Sequence, residues 1–341
     1  MKRPVQIRDV AKLAGVSASS VSRALNSDRY ASDELRARVA EAVAKLGYEP
    51  NSVAQSLRNQ SSRTIACMVS DVTNPMYAEI IGAAELRFQE AGYLMVVANS
   101  RNGTKELELL NMFRRRRMDG LLLTVDDDTR KDVLDAMRDA DAPVVLLDRD
   151  SALSCDRVTV DHRQGARSAI SFLLSLGHRH ILLETPSARV RPGRERIAGA
   201  QEAVQAAGLP FSVLTVIEHT DPSQTRVFSD VLHELSKPSR PTAIVSLGTE
   251  MLAGALAAVE ASRLRIPEDI SVISIGDTVL AQFAAPGITA LRWDLKQFGR
   301  TAAELLLDRI EGRSGESRTV MFPTELLLRR SCMPPPGAQR M

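Results

Sequence analysis

Three cysteines in 341 residues, Cys67, Cys155 and Cys332, are odd in number and too far apart to form a disulfide framework or a metal cluster. No apolar run reaches membrane-spanning length, and no apolar signal segment opens the chain. These absences point to a reducing, cytoplasmic setting, with neither export nor membrane insertion. Catalytic signatures are missing too. No Walker A, His-Glu-x-x-His, Gly-x-Ser-x-Gly or Cys-x-x-Cys pattern occurs, so neither an enzyme nor a cofactor is expected. The last stretch, SCMPPPGAQRM, is proline-rich and has no heptad, which excludes a helical coiled-coil tail.

Net charge is also small, at +2, but it is unevenly placed. Residues 1–63 hold 11 Lys/Arg against 6 Asp/Glu, a net of +5, which leaves −3 for the rest. A basic head on an acidic body suits a protein in which only the head meets phosphates.

Ile7 to Asn26, IRDVAKLAGVSASSVSRALN, reads as two short helices joined by a tight turn. Ile7, Val10, Ala11 and Ala14 recur at helical spacing. Gly15 suits a left-handed helix stop, and Ser17 is a good N-cap for the next helix. A helix-turn-helix needs a small residue in its first helix, a Gly at the turn and an apolar anchor in the second. Ala11, Gly15 and Val21 meet those demands. The outward face carries Ala18, Ser19, Ser22 and Arg23. Arg23 is its only strong base reader, with guanine the natural partner, while Ala18 and Ser19 offer a methyl and a hydroxyl. Ser17, Ser20 and Ser22 are placed for phosphates. Ser32 caps a third helix with Leu35, Val39, Val43 and Leu46 as its buried stripe, and Gly47 ends it. Pro50 blocks its continuation, and Asn51 can cap a short helix with Val53 and Leu57 on one face. Two turns are marginal alone, so this segment should fold on docking.

From Arg63 the pattern becomes strand–helix alternation, with two runs of βα units. Their strands are read at Thr64–Val69, Tyr93–Ala98, Gly120–Thr124, Pro143–Leu147, His180–Glu184, Ser212–Ile217, Ala243–Leu247 and Ser271–Ile275. Two doubly wound parallel sheets follow, one per lobe, with any ligand beyond the strands' C-terminal ends, between the lobes.

The segment IRDVAKLAGVSASSVSRALN resembles the DNA-binding head of the LacI/GalR family of bacterial transcription regulators. PNSVAQSLR is similar to that family's hinge helix. Further landmarks match in order, among them VTNPMYAEIIGAAE, RRRMDGLLL, VTVDHRQGARSAISFLLSLGHRHI, RERIAGAQEAV and RIPEDISVISIGD. The resemblance implies an α/β chain: a three-helix head over 1–50, a hinge over 51–62, and a periplasmic-binding-protein-like two-lobed body over 63–331. Lobe 1 then holds about 63–161 and 291–321, and lobe 2 about 162–290 and 322–331. Crossings fall near 161, 290 and 322, Thr319–Leu328 returns a last strand to the second lobe, and 332–341 is a tail. It further implies that Asn26, Asn51, Val53, Ala54 and Leu57 join the DNA contact, Leu57 as a wedge in the minor groove. Effector contacts fall on Met76, Tyr77, Thr124, Asp148, Arg196 and Asp277.

Two departures bear on the ligand. Gly248-Thr249 stands where many members carry Asn-Asp, and SIGDTVLA lacks an aromatic before its Asp. The Gly-Asp form is more like the gluconate-type branch and favours a sugar acid over a neutral sugar, with Arg194 near Arg196. Asp126–Asp128 reads as a solvated loop, and Trp293 as lobe packing. The expected protein is a homodimeric repressor on a pseudo-palindromic double-stranded operator. Its rival, a solute-binding protein, predicts a signal peptide and no basic head.

Overall fold

The structure is a computed structural model that describes residues 5–25, 31–48, 61–100, 103–220, 223–248, 250–313 and 315–337. The chain divides into two units, Met1–Ser62 and Arg63–Met341.

The first unit holds α1 (Ile7–Ala14), α2 (Ala18–Leu25) and α3 (Asp33–Leu46). Gln6 and Asp9 close a capping box on α1, and Gly15 ends it at φ 65° with its N–H on Ala11 O. The Ser17 hydroxyl accepts from Ser20 N at 3.1 Å and so starts α2. Ser32 does the same for α3, accepting from Leu35 N at 3.3 Å. Val10, Ala11, Ala14, Val21, Val39 and Ala42 form the small core between the three helices.

In the second unit the order is β1 (Thr64–Val69), α4 (Pro75–Glu90), β2 (Leu94–Asn99), α5 (Gly103–Arg115), β3 (Gly120–Leu123), α6 (Lys131–Arg138), β4 (Val144–Leu147) and β5 (Asp156–Val160). Then come α7 (His162–Ser175), β6 (Ile181–Pro186), α8 (Arg191–Ala206), β7 (Leu214–His219), α9 (Gln224–Leu235), β8 (Ala243–Leu247), α10 (Glu250–Ala261), β9 (Ser271–Ile275), α11 (Val279–Phe283) and β10 (Thr289–Arg292). Last are α12 (Leu295–Ile310), β11 (Thr319–Phe322) and β12 (Glu325–Leu327).

Two six-stranded sheets result, ordered β11-β5-β4-β3-β1-β2 and β12-β10-β9-β8-β6-β7. Every pairing is parallel except β10 with β12. Both faces of the inner strands β1, β3 and β4 are covered, as continuous apolar strands require. Ile65, Cys67 and Val69 face Phe88 of α4 and Phe298 of α12, while Ala66 and Met68 face Leu110 and Phe113 of α5. In the second lobe α7 lies so close to α8 that a Cβ on Gly199 would overlap the Arg163 carbonyl oxygen.

The chain passes between lobes three times, after β5, after β10 and after β11. The expected single strand Thr319–Leu328 is in fact two. Pro323 has no N–H for a ladder, so Thr319–Phe322 stays in the first sheet beside β5 and Glu325–Leu327 turns back against β10. The crossings are tied together: Asp161 N donates to Phe322 O at 2.9 Å, and the Thr324 hydroxyl donates to Asp161 O at 3.3 Å. Trp293, on the second crossing, packs against the cores of both lobes.

Candidate functional site

Asp148 sits one residue past β4 in the left-handed region, at φ 55°. A non-glycine residue there costs of the order of 1 kcal/mol and is held by its surroundings. Here its N–H donates to Val158 O at 2.7 Å, and its Oδ1 accepts from Val160 N at 3.1 Å. The carboxylate is thereby turned toward the second lobe. Its Oδ2 lies 2.6 Å from His162 Nε2, and Arg191 Nη1 lies 3.5 Å from Oδ1.

His162 opens α7, just behind the cap that Asp161 makes on Gln164 N. Burial drives its pKa down to about 4, with Arg196 and Arg191 adding to the fall and Asp148 opposing it. It is therefore neutral at pH 7. Burial also works against charge on Asp148, but His162, Arg149 and Arg191 hold it well below the ordinary carboxylate range. The assignment that satisfies both partners puts the proton on Nε2, donating to Asp148. Nδ1 is then the acceptor for Arg196 Nη2, 3.3 Å away.

Arg196 is buried on the second turn of α8, and burial lowers its pKa to about 10. It remains a cation, yet among the described residues Nε and Nη1 find no hydrogen-bond partner, nor does the buried Trp293 Nε1. Trp293 stands edge-on to His162, ring centres 5.8 Å apart. Trp293 also lines a cavity of about 240 Å³ with Met76, Glu79, Asp277, Gln282 and Lys296. Trp293 is the residue shared by the two: it lines the cavity and its ring meets His162 of the Asp148–His162–Arg196 chain.

Of the expected effector residues, Asp148 and Arg196 meet through His162, and Met76 and Asp277 meet in the cavity. Met76 presses on Gly276, where any Cβ would collide with its sulfur. Asp277 is ion-paired with Arg329 at 2.7 Å. Tyr77 is half-buried and lies near enough to Arg149 and Arg196 to act on both charges. Thr124 does not belong with them. Its hydroxyl is committed to the backbone, accepting from Ser70 N at 3.1 Å and donating to Met68 O at 3.4 Å. Gly248 leaves no room for a side chain, because a Cβ would meet the carbonyl of Gly276.

The reading of Asp126–Asp128 as solvated is also corrected. Asp128 is buried, since Arg191 N donates to its Oδ2 at 2.9 Å and Arg194 Nη2 lies 2.9 Å from the same oxygen. Below that loop Glu106 is fully buried, accepts from Asp126 N at 2.6 Å, and is pushed up to about 7 by burial. A raised carboxyl stabilises the fold fully below its unfolded pKa and loses that contribution as pH rises through about 7. Glu106→Gln should therefore gain on the wild type between pH 5 and pH 8, by on the order of 2 kcal/mol in urea unfolding. A gap that stays constant with pH would refute this.

His162 and Arg191 escaped sequence reading. The signal for Arg191 was the run of arginines at 189, 191, 194 and 196, with Pro192 in the first turn of α8, where a proline marks a helix start.

On the head, Ser17, Ser19 and Arg23 are exposed, and Ser22 is half-buried. Ala18 is half-buried and packs partly on the head core, so it offers less surface than expected. The Arg23 guanidinium reaches the Ser20 hydroxyl at 3.4 Å. Asn26, Asn51, Val53, Ala54 and Leu57 lie outside the described residues.

A two-lobed body with a polar inter-lobe site, following a helix-turn-helix head, defines the class of ligand-responsive DNA-binding regulators rather than enzymes. Residues 6–51 match "Bacterial regulatory proteins, lacI family", and residues 170–332 match "Periplasmic binding protein-like domain". The HTH-type transcriptional repressor PurR of Photobacterium profundum is 31% identical over 95% of this chain and 98% of its own. PurR of Aliivibrio fischeri is 32% identical over 95% and 97%. The lac repressor dimer bound to operator and the anti-inducer ONPF superposes with TM-score 0.86 at 27% identity, over 97% of this chain and 100% of that one. The transcriptional regulator CelR in its cellobiose complex gives 0.72 at 28%, over 96% and 100%. The chain belongs to the LacI family of bacterial regulatory proteins. Among the described residues no helix is long and apolar enough to cross a membrane.

Proposed function

We propose that this regulator is a cytoplasmic homodimeric repressor. Its heads (1–50) and hinges (51–62) grip a pseudo-palindromic operator, and its bodies (63–331) bind a small anionic effector, a sugar acid in preference to a neutral sugar. The observation that carries the effector chemistry is the buried Arg196. Its Nε and Nη1, with Trp293 Nε1, are donors without acceptors, while the Asp148 oxygens are already taken. The missing complement is an acceptor-rich group, and a carboxylate supplies it with charge. Ligand in the cleft alters the lobe angle, and through it the spacing of the two hinges. Among the structural neighbours, the lac repressor dimer is bound to operator and CelR is in complex with cellobiose, so DNA binding and binding of a small sugar both occur on this fold.

A thermal-shift screen of sugars, sugar acids and sugar phosphates tests the reading, because a ligand that binds only the folded state raises its stability by mass action. Hits among acids and none among neutral sugars are expected. A neutral sugar as the sole hit overturns the assignment. Operator titration supplies the second arm. Leu57→Ala should lower specific affinity by about two orders of magnitude, the scale of a few kcal/mol for a wedged base step, and spare non-specific binding. Equal loss of both would remove the wedge.

A further inference from the structure

One end of the first lobe carries a charge that the inter-lobe site does not use. The strands of the first sheet pair in parallel, so the residues just before β1, β3 and β11 share one end of it. Asp148 lies at the opposite end, just past β4. The chain enters the body on this rim. Arg63 N donates to Asp119 Oδ2 at 3.0 Å, and Asp119 N donates to Thr64 O at 2.9 Å, which ties the entry point to the segment leading into β3. Just ahead of Met118 and Asp119 stand Arg114, Arg115, Arg116 and Arg117, consecutive arginines on a body (residues 64–341) of net charge −3.

All of these arginines are exposed, and among the described residues none has a side-chain hydrogen bond or an ion pair. Acids near the start of β11 are engaged with other bases, Glu311 with Arg313, and Asp308 with Arg313 and Arg318. The dipole of α5 favours cations in its last turn, which accounts for Arg114 and Arg115. Arg116 and Arg117 lie beyond the helix. Arg117 holds φ 51°, at a helix end where glycine is the ordinary choice and a side chain is disfavoured. Phe113 and Met118, buried on either side, fix the run to the core of the lobe. Adjacent like charges repel, and no contact among the described residues offsets that repulsion. A polyanion outside the chain does so.

Charge and chain connection name the same polyanion. Arg63 lies six residues beyond Leu57, at most about 22 Å of extended chain. We infer that Arg116 and Arg117, at the end of the body where the hinge joins it, bind backbone phosphates of the duplex that the heads hold. The body then adds to DNA affinity directly, besides carrying the effector site. This rests on the operator binding proposed above. Phosphate contacts position a protein and carry no base sequence, so the arginines contribute affinity and leave specificity to the head and hinge.

Titration of operator with the full chain at several salt concentrations tests this. Log affinity falls with log salt by about 0.9 for each phosphate neutralised. In the proposed dimer Arg116→Gln/Arg117→Gln removes two charges per chain, so the slope should become shallower by about 3–4. Between about 50 and about 200 mM salt the wild type should then lose on the order of 100-fold more affinity than the variant. Affinity at low salt should fall by the same factor on operator and on a duplex with one half-site base changed. Arg226→Gln/Arg265→Gln removes equal charge from the second lobe, at side chains 68% and 71% exposed, and should leave the slope unchanged. Arg117→Gly should weaken DNA binding without lowering the melting temperature, which a merely structural arginine would not do. An unchanged slope in Arg116→Gln/Arg117→Gln, or an equal change in the second-lobe control, overturns the inference. A wild type without preference for operator overturns the operator reading instead, and slopes on a random duplex still judge the arginines.

Discussion

Arg196→Ala should lower affinity for the anionic effector by at least about 100-fold and leave operator affinity as it was. The size follows from what is removed. Charge-assisted hydrogen bonds are worth roughly 1.5–3 kcal/mol each, and two Arg196 nitrogens are free to make them. The fold should not suffer, because burial of this guanidinium is already costly, as its pKa near 10 records. Removing it also relieves His162. Arg196 is among the groups that depress that imidazole, so the His162 titration, followed by NMR, should rise from about 4 toward its ordinary value. Calorimetry with a ligand from the screen, with operator titration in parallel, checks the first claim. Wild-type ligand affinity in the variant would take Arg196 out of the site, and an unmoved His162 would contradict the relay.

The residues that were legible from sequence are those whose role is set locally. Gly15 and Ser17 declare a helix stop and a helix start, and both do so in the structure. Asp148 and Asp277 stood out through the family resemblance, which places them just past the strands Pro143–Leu147 and Ser271–Ile275, where an open α/β sheet meets its ligand. His162 could not be found that way. It acts by standing between Asp148 and Arg196, and three separate segments meet there only because the chain crosses lobes at 161. Asp128 failed for the same reason in reverse. Three consecutive acids look solvated until Arg191 and Arg194 arrive from the other lobe. Thr124 misled because a strand-end hydroxyl can turn back onto its own sheet, as it does toward Met68 and Ser70. The break at Pro323 was readable in principle, since a proline inside a presumed strand argues against continuity.

Asp148→Ala should cost the body about 3–5 kcal/mol, the range for removing one partner of a buried ion pair. For a body of this size that is roughly 10 °C in melting temperature. The carboxylate is the common counter-charge for Arg149 and Arg191 and the acceptor for His162 Nε2. Without it, cations that are mostly out of water lose their shared partner. Asp128 and Asp150 still reach Arg194 and Arg191, but neither replaces the contact to His162. The sign with pH is fixed by the direction of the shift. A carboxyl held below its unfolded value contributes its stability above the ordinary carboxylate range and loses it as pH falls through the folded value. The wild-type advantage should be complete at pH 7 and shrink only in strong acid. An anion should substitute for the lost charge, so millimolar sulfate should raise the melting temperature of Asp148→Ala more than that of the wild type. Asp148→Asn keeps one acceptor oxygen and the side-chain shape, and should fall between the two. Thermal unfolding with and without sulfate reads all three proteins. A variant as stable as the wild type, with no added response to sulfate, would mean that this carboxylate does not balance the arginines around it.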